Sequence, residues 1–388
     1  HHPEAVLAMA RLAVRRMSTR DAEGANSALR TFAVLRHDAG VDARGFARDL
    51  VEMLGRLGNT VLVDQETAKG KLSSWFNELE VHSRFVVYLA DADDDWQAQC
   101  VRQADCLLLL ANAQEEPGTW PASACADASS ALSRPRHLVL LHPHNLVTGA
   151  ARRWLRMTPD IPHHHVRGSA DVRRVARLLT GRSLGLVLSG GGARGFTQIG
   201  VVRALREAGL EIDCVGGTSI GAIIGAGVAA DWSNEEMNEV YRRAFVSSNP
   251  LSDRTFPFVS LVSGRKVSRL LREAFGERDI EDLVLPYFCV TSDLTAGAAV
   301  VHRHGMLWRW LRASVAIPGV LPPVFHNGRV YVDGGVINNL PVDVMRAEGA
   351  GEVVAVDIGG DHAVLPGAGI DEFDLPPLWK MVLQWYSG

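Results

Sequence analysis

Ser219 lies in Gly217-Thr218-Ser219-Ile220-Gly221, between the short apolar run Asp213-Cys214-Val215-Gly216 and a stretch of small and aliphatic residues, Ile220 to Ala230, that predicts a helix. Gly-x-Ser-x-Gly at a strand-to-helix junction is what a nucleophile elbow needs. Flanking glycines let the backbone turn sharply and leave the serine oxygen exposed at the strand tip. The chemistry this predicts is that of a serine hydrolase. In a chain with 37 glycines the pentapeptide alone recurs by chance, so its neighbours matter.

Upstream, the buried-strand pattern Leu184 to Leu188 runs into Ser189-Gly190-Gly191-Gly192-Ala193-Arg194-Gly195-Phe196, and the helical spacing of Ile199 to Gly209 follows. Consecutive glycines expose backbone N–H groups at the positive end of a helix dipole, which suits an anion. Gly190, Gly192 and Gly195 also satisfy the dinucleotide fingerprint G-x-G-x-x-G. That reading requires an acidic residue at the end of the next strand, whereas Asp213 stands at its start. The favoured reading is an oxyanion hole, with the Gly191 and Gly192 amides meeting charge that develops on a carbonyl attacked by Ser219. Downstream, Arg329 to Val332 reads as a strand ending in Asp333-Gly334-Gly335, where the glycines let the carboxylate turn sideways into a site. Taken alone, Asp333 reads better as a turn carboxylate satisfying local N–H groups, as Asp commonly does beside Gly.

Stepping outward, the first half alternates strand and helix patterns. Strands are expected over 31–35, 60–63, 85–89, 106–110 and 137–141, with helices over 43–57, 69–79 and 96–104. Such alternation predicts a parallel sheet covered on both faces. The expected organisation is 1–30 as tag scar (His1-His2), helical fragment (Glu4 to Arg16) and linker; 31–181 as a doubly wound α/β domain; and 182–388 as the hydrolase. In the first domain, Gly40-Val41-Asp42-Ala43-Arg44-Gly45-Phe46 has P-loop glycine spacing, but Phe46 and Ala47 replace the lysine and hydroxyl that nucleotide hydrolysis needs. The acidic run Asp91 to Asp95 reads as a solvated turn and helix start. His163-His164-His165 reads as packing or surface, since adjacent side chains diverge. No metal site is expected.

The glycine loop Gly190 to Gly195, the elbow Gly217 to Gly221, Ser314-Val315-Ala316-Ile317-Pro318 with Pro322-Pro323-Val324, and Asp333-Gly334-Gly335 together resemble, in order, the four blocks of the patatin-like phospholipases. Ser83 to Asp91, Ala104-Asp105, His163 to Arg167 and Leu178 to Arg182 resemble the domain that precedes the hydrolase in the neuropathy target esterase branch. The resemblance implies a three-layer α/β/α hydrolase domain and a Ser–Asp dyad. In that scheme Ser219 is the nucleophile, Asp333 the direct base, Gly190 to Gly192 the oxyanion loop, and Arg194 the residue holding that loop in shape. It implies lysophospholipid or phospholipid esters as substrates, no cofactor, and a cyclic-nucleotide-binding module upstream in the branch.

Two rival readings remain. Ser219, Asp333 and His362 satisfy the chain order of an α/β-hydrolase triad, and His302, His304 and His326 are equally available. From a different class, a lipid-binding regulatory scaffold could keep the fold without turnover, although every dyad and loop position is intact. A direct Asp base predicts activity persisting below the pH, about 6.5, at which a free histidine protonates.

Composition bounds the rest. The chain is 47% hydrophobic and 22% charged with a net charge of −4, which allows large cores and gives no reason to expect a nucleic-acid partner. Five cysteines without C-x-x-C spacing predict buried free thiols in a reducing compartment. With no signal-peptide pattern and no apolar run long enough to span a bilayer, a cytoplasmic protein in peripheral contact with membrane is expected. Two segments bear on that contact: the arginines at 152, 153, 156, 167, 173, 174, 177 and 182, which read equally as a salt-bridged face, and the amphipathic tail Leu378 to Tyr386.

Overall fold

The structure is a computed structural model, described for residues 29–121, 134–157, 161–248, 250–255 and 260–359. The opening histidines, Glu4 to Arg16, Cys125, His362 and the tail Leu378 to Tyr386 lie outside these residues. The protein is α/β throughout and divides into two compact units. One comprises 1–111, 118–139 and 168–182; the other comprises 112–117, 140–167 and 183–388.

Strands β1 (Thr31–Arg36), β2 (Thr60–Val63), β3 (Phe85–Ala90), β4 (Cys106–Asn112), β5 (Arg136–Leu141) and β6 (His163–Val166) form a sheet in the order β2-β3-β1-β4-β5-β6. The pairs β2/β3, β3/β1 and β1/β4 are parallel. Phe32 to Leu35 and Phe85 to Ala90 are buried without alternation, as strands covered on both faces must be. The sixth strand, β6, is the histidine run. Period-two alternation puts His163 and His165 on one side, and both donate from Nε2 to the Glu281 carbonyl. The helix expected over 69–79 is instead two helices, Gln65–Ala68 and Ser73–His82. Asp64 caps the first by accepting from the Thr67 N–H at 3.0 Å, and Gly70 at φ 72° breaks the chain before the second.

In the second unit β7 (Leu184–Leu188), β8 (Cys214–Thr218), β9 (Tyr287–Asp293), β10 (Ala298–His302), β11 (Val324–His326), β12 (Arg329–Asp333) and β13 (Glu352–Val356) form a mixed sheet. The strands β13, β7, β8 and β9 run parallel. Register then fixes the site. β10 pairs antiparallel with residues 289–293 of β9 and so occupies one edge of it. β8 pairs with 287–290 and β12, antiparallel, with 291–293, so these two must share the other edge, end to end. The C-termini of β8 and β12 therefore abut, bringing Ser219 and Asp333 together across 114 residues of sequence. The helix Ile220–Ala229, buried at every residue, anchors this centre in the core.

Candidate active site

Ser219 has φ 54° and ψ −127°, a left-handed conformation that a non-glycine residue adopts only when its surroundings enforce it, at a cost of about 1–3 kcal/mol. The enforcement is visible. Its N–H donates to Ser314 Oγ at 2.9 Å, and that hydroxyl donates on to the Val290 carbonyl at 2.7 Å. A Cβ on Gly221 would stand 2.3 Å from the Leu188 carbonyl oxygen, and one on Gly217 would stand 2.7 Å from the Gly221 backbone. Both flanking glycines are thus required by close backbone approach, which seats the helix Ile220–Ala229 on the end of β7 and directs its positive end at the serine.

Ser219 Oγ donates to Asp333 Oδ2 at 2.6 Å, and Asp333 Oδ1 accepts from the Gly335 N–H at 2.8 Å. Asp333 is 2% exposed. Burial pushes its pKa up to about 6, against the lowering effect of those two hydrogen bonds. Among the described residues no histidine bonds to either member of the pair. His302 meets Thr291 Oγ1 at 2.7 Å and stacks on Trp310, and burial holds its pKa down at about 3, so the ring is neutral. His304 and His326 make no hydrogen bond to Ser219 or Asp333, and His362 is outside the described residues.

The glycine loop passes directly beside the serine: a Cβ on Gly190 would lie 3.0 Å from Ser219 Cβ and 2.5 Å from Asn339 Oδ1. Gly190 donates its own N–H to the Asn339 carbonyl at 3.3 Å, so its amide is spent on the loop's shape, and Gly191 and Gly192 are the amides left for an anion. Arg194, expected to hold the loop, is exposed and makes no side-chain hydrogen bond among the described residues. That task falls to residues the sequence did not single out. Asn339 Nδ2 donates to the Gly190 carbonyl at 3.3 Å, Gln198 Nε2 to the Ser189 carbonyl at 2.9 Å, and Ser189 Oγ accepts the Ile358 N–H at 3.0 Å. The signal available for Asn339 was its position six residues after Asp333, on the same loop. Asp213, the acidic residue immediately before β8 rather than at its end, is fully buried and accepts the Leu184 N–H at 2.9 Å.

In the first unit a cavity of about 320 Å³ opens where the P-loop-like segment lies, walled by Arg36, Asp42, Arg44 and Asp91 at the carboxyl ends of β1 and β3. Its helix N-terminus is already satisfied: Asp42 Oδ1 accepts the Gly45 N–H at 2.8 Å, and Arg44 is paired with Asp64 at 3.0 Å and Asp91 at 3.4 Å. A fixed carboxylate where a phosphate would sit repels the phosphate. MgATP at about 1 mM is therefore expected to leave the melting temperature of this unit unchanged in calorimetry, and a concentration-dependent rise would refute this.

Several arginines of the sequence cluster are committed within the protein. Arg152 pairs with Asp279, Arg167 with Asp231 at 2.9 Å, and Arg174 with Asp171 at 2.7 Å. These members of the cluster are thus salt-bridged within the protein. Among the described residues no group of three or more potential metal ligands occurs, and no helix is long and apolar enough to cross a membrane. Cys100, Cys106, Cys214 and Cys289 are buried free thiols, each with its pKa raised by desolvation.

A strained serine on a strand-to-helix turn, bonded straight to a buried aspartate and overlain by a glycine loop, defines a class that comparison with known proteins identifies. Residues 186–346 match the family described as patatin-like phospholipase, and residues 28–183 match the neuropathy target esterase family P-loop like domain. The chain belongs to the patatin-like phospholipases, in the neuropathy target esterase branch. It is 35% identical to human patatin-like phospholipase domain-containing protein 6 over 92% of this chain and 30% of that protein. It is 34% identical to the mouse patatin-like phospholipase domain-containing protein 7 over 92% of this chain and 29% of the relative. It is also 32% identical to Lysophospholipase NTE1 of Phaeosphaeria nodorum over 92% of this chain and 28% of that protein. The chain thus spans under a third of the length of these curated relatives.

Proposed function

We propose that the second unit hydrolyses acyl ester bonds of lysophospholipids or phospholipids through a Ser219–Asp333 dyad. The observation that carries this is the 2.6 Å hydrogen bond from Ser219 Oγ to a buried carboxylate at a strained elbow. Asp333 accepts the hydroxyl proton as Ser219 Oγ attacks the ester carbonyl, and the Gly191 and Gly192 amides receive the oxyanion. Collapse of the tetrahedral intermediate breaks the ester C–O bond, and the proton on Asp333 passes to the departing alcohol. Asp333 then takes a proton from water, which attacks the acyl-enzyme; the bond from the acyl carbon to Ser219 Oγ breaks, Asp333 returns the proton to Ser219 Oγ, and the fatty acid leaves. Each oxyanion donor is worth about 3–4 kcal/mol of barrier. The lipid assignment is supported by the relatives' names, Lysophospholipase NTE1 among them, and by Val336 and Ile337, exposed apolar side chains three and four residues beyond Asp333. In this reading the first unit is a non-catalytic scaffold, the protein works in the cytoplasm in peripheral contact with membrane, and a longer form carries a cyclic-nucleotide-binding module upstream.

The test is adduct mapping by mass spectrometry after treatment with a fluorophosphonate, alongside fatty-acid release from a panel of lysophospholipids and diacyl phospholipids with Ser219→Ala as the blank. A phosphonate on Ser219 is expected, with lysophospholipid cleaved. An unlabelled Ser219 in folded protein would favour the regulatory scaffold. His362→Ala is expected to keep turnover within about twofold of wild type, and its collapse would point to the triad.

A further inference from the structure

A second constellation lies in the layer that covers β9 and β12. The helix Leu307–Ser314 carries Arg309 and Arg312 three residues apart, hence on one face, and the helix Arg265–Phe275 opens with Arg265. All three arginines line one cavity of about 390 Å³, together with Ser263 and Ser268, whose hydroxyls donate to Asp253 Oδ2 at 2.6 Å and to the Gly264 carbonyl at 3.0 Å. Arg312 is the telling member. It is 5% exposed, yet only its Nη2 is spoken for, donating to the Pro322 carbonyl at 3.0 Å. Its Nη1 is buried and has no hydrogen-bond partner among the described residues. A Cβ on Gly264 would stand 2.3 Å from Arg312 Nη2, so the glycine leaves the room the guanidinium fills.

Among the described residues no carboxylate forms an ion pair with Arg312. Asp253 is the carboxylate within electrostatic range, and burial, only partly offset by it, brings the Arg312 pKa down to about 10. That carboxylate is turned to the start of the neighbouring helix, where Oδ2 accepts from Ser263 Oγ at 2.6 Å and from the Lys266 N–H at 3.1 Å, and it forms no ion pair with Arg312. A buried guanidinium N–H without an acceptor is costly, and the cost is recovered where a ligand brings the acceptor.

We propose that this cavity binds a phosphate-type oxyanion, held by Arg265, Arg309 and Arg312. Three arginines on the wall of one cavity match a multivalent tetrahedral anion better than a carboxylate, which one guanidinium satisfies. The anion is either the head group of a phospholipid or free inorganic phosphate. Phe325, on the cavity wall and 74% exposed, places an apolar side chain beside the cationic one, as a head-group site at a lipid surface requires. The assignment is independent of which bond Ser219 attacks.

The probes are inorganic phosphate, compared with chloride at equal ionic strength, and phosphatidylcholine vesicles with and without phosphatidic acid. Saturating phosphate is expected to raise the melting temperature by about 2–4 °C over chloride. The double variant Arg265→Gln/Arg309→Gln is expected to lose that rise while melting within about 2 °C of wild type without phosphate, since neither side chain is buried. Arg312→Met, which replaces the buried charge by an apolar chain, is expected to fold and to lose the rise as well. If the source is a lipid head group, wild type sediments with phosphatidic-acid vesicles at least about fivefold more than with phosphatidylcholine alone, and the double variant does not. If the source is free phosphate, the thermal shift occurs without vesicle preference. Phosphate acting no better than chloride with no vesicle preference, or variants responding as wild type does, would overturn the proposal.

Discussion

Asp333→Asn is expected to lower kcat by about 10³–10⁴-fold and at the same time to stabilise the protein at pH 7.5. The loss of rate follows from removing the only group that bonds to the Ser219 hydroxyl oxygen among the described residues. The gain in stability follows from burial. Asparagine can keep both contacts, with Oδ1 accepting the Gly335 N–H and Nδ2 facing Ser219 Oγ, but it carries no charge to desolvate. A carboxyl whose pKa is raised by folding, here from 3.8 to about 6, binds its proton more tightly in the native state. Stability is therefore highest below pH 3.8, falls as pH rises from there to about 6, and stays reduced above, by about 3 kcal/mol for this shift. The variant's advantage should appear at pH 7.5 and vanish near pH 4 in paired thermal melts. Turnover within tenfold of wild type at pH 7.5 would remove Asp333 from the role of base.

The same burial sets the acid limb of the reaction. In the proposed dyad Asp333 must be ionised to accept the serine proton, so kcat/KM should fall by one power of ten per pH unit below about 6. A direct Asp base suggests activity persisting below the pH, about 6.5, at which a free histidine protonates. Desolvation carries Asp333 close to that range, so the margin between the two is narrow. A pH profile alone thus no longer separates dyad from triad; replacing Asp333 and His362 one at a time does.

How much of this was legible beforehand depends on whether the cause is local. The elbow glycines, the glycine loop and the strand ending at Asp333 are local patterns, and the first sheet's buried strands announce themselves as unbroken apolar runs. The meeting of Ser219 and Asp333 is not local. It depends on β8 and β12 sharing one edge of β9, and β9 itself, Tyr287–Asp293, ends in three polar residues that disguise a wholly buried strand. Those residues are buried because each is paired: Ser292 Oγ donates to the Gly334 carbonyl at 3.3 Å, Thr291 meets His302, and Asp293 accepts from Arg329 at 2.8 Å. The histidine strand β6 was missed for a similar reason, since its polar composition hides a backbone that pairs. Arg194 was given a structural task by resemblance alone, and the geometry hands that task to Asn339 and Gln198.

Ser314 is the residue whose importance only the coordinates explain, and Ser314→Ala is expected to lower kcat by about 10–100-fold with little change in KM. Its hydroxyl is fully buried and spans two backbone groups, taking the Ser219 N–H and giving its proton to the Val290 carbonyl. Without it, a buried N–H at a strained residue loses its acceptor, at a cost of about 1–3 kcal/mol, and the elbow relaxes away from φ 54°. That relaxation moves Ser219 Oγ relative to both Asp333 and the glycine loop, which are held by their own contacts and do not follow. Ground-state binding of a lipid is left alone, because Ser314 is buried beneath the elbow. The second-order rate of fluorophosphonate labelling should fall by the same factor as kcat, since the phosphonate needs the same aligned hydroxyl. Ser314→Thr, which restores the donor and acceptor at the cost of one crowded methyl group, should recover most of both rates. If Ser314→Ala merely lowers the melting temperature while kcat and labelling stay at wild-type values, the serine is a packing residue and the strain at Ser219 is maintained by the glycines alone.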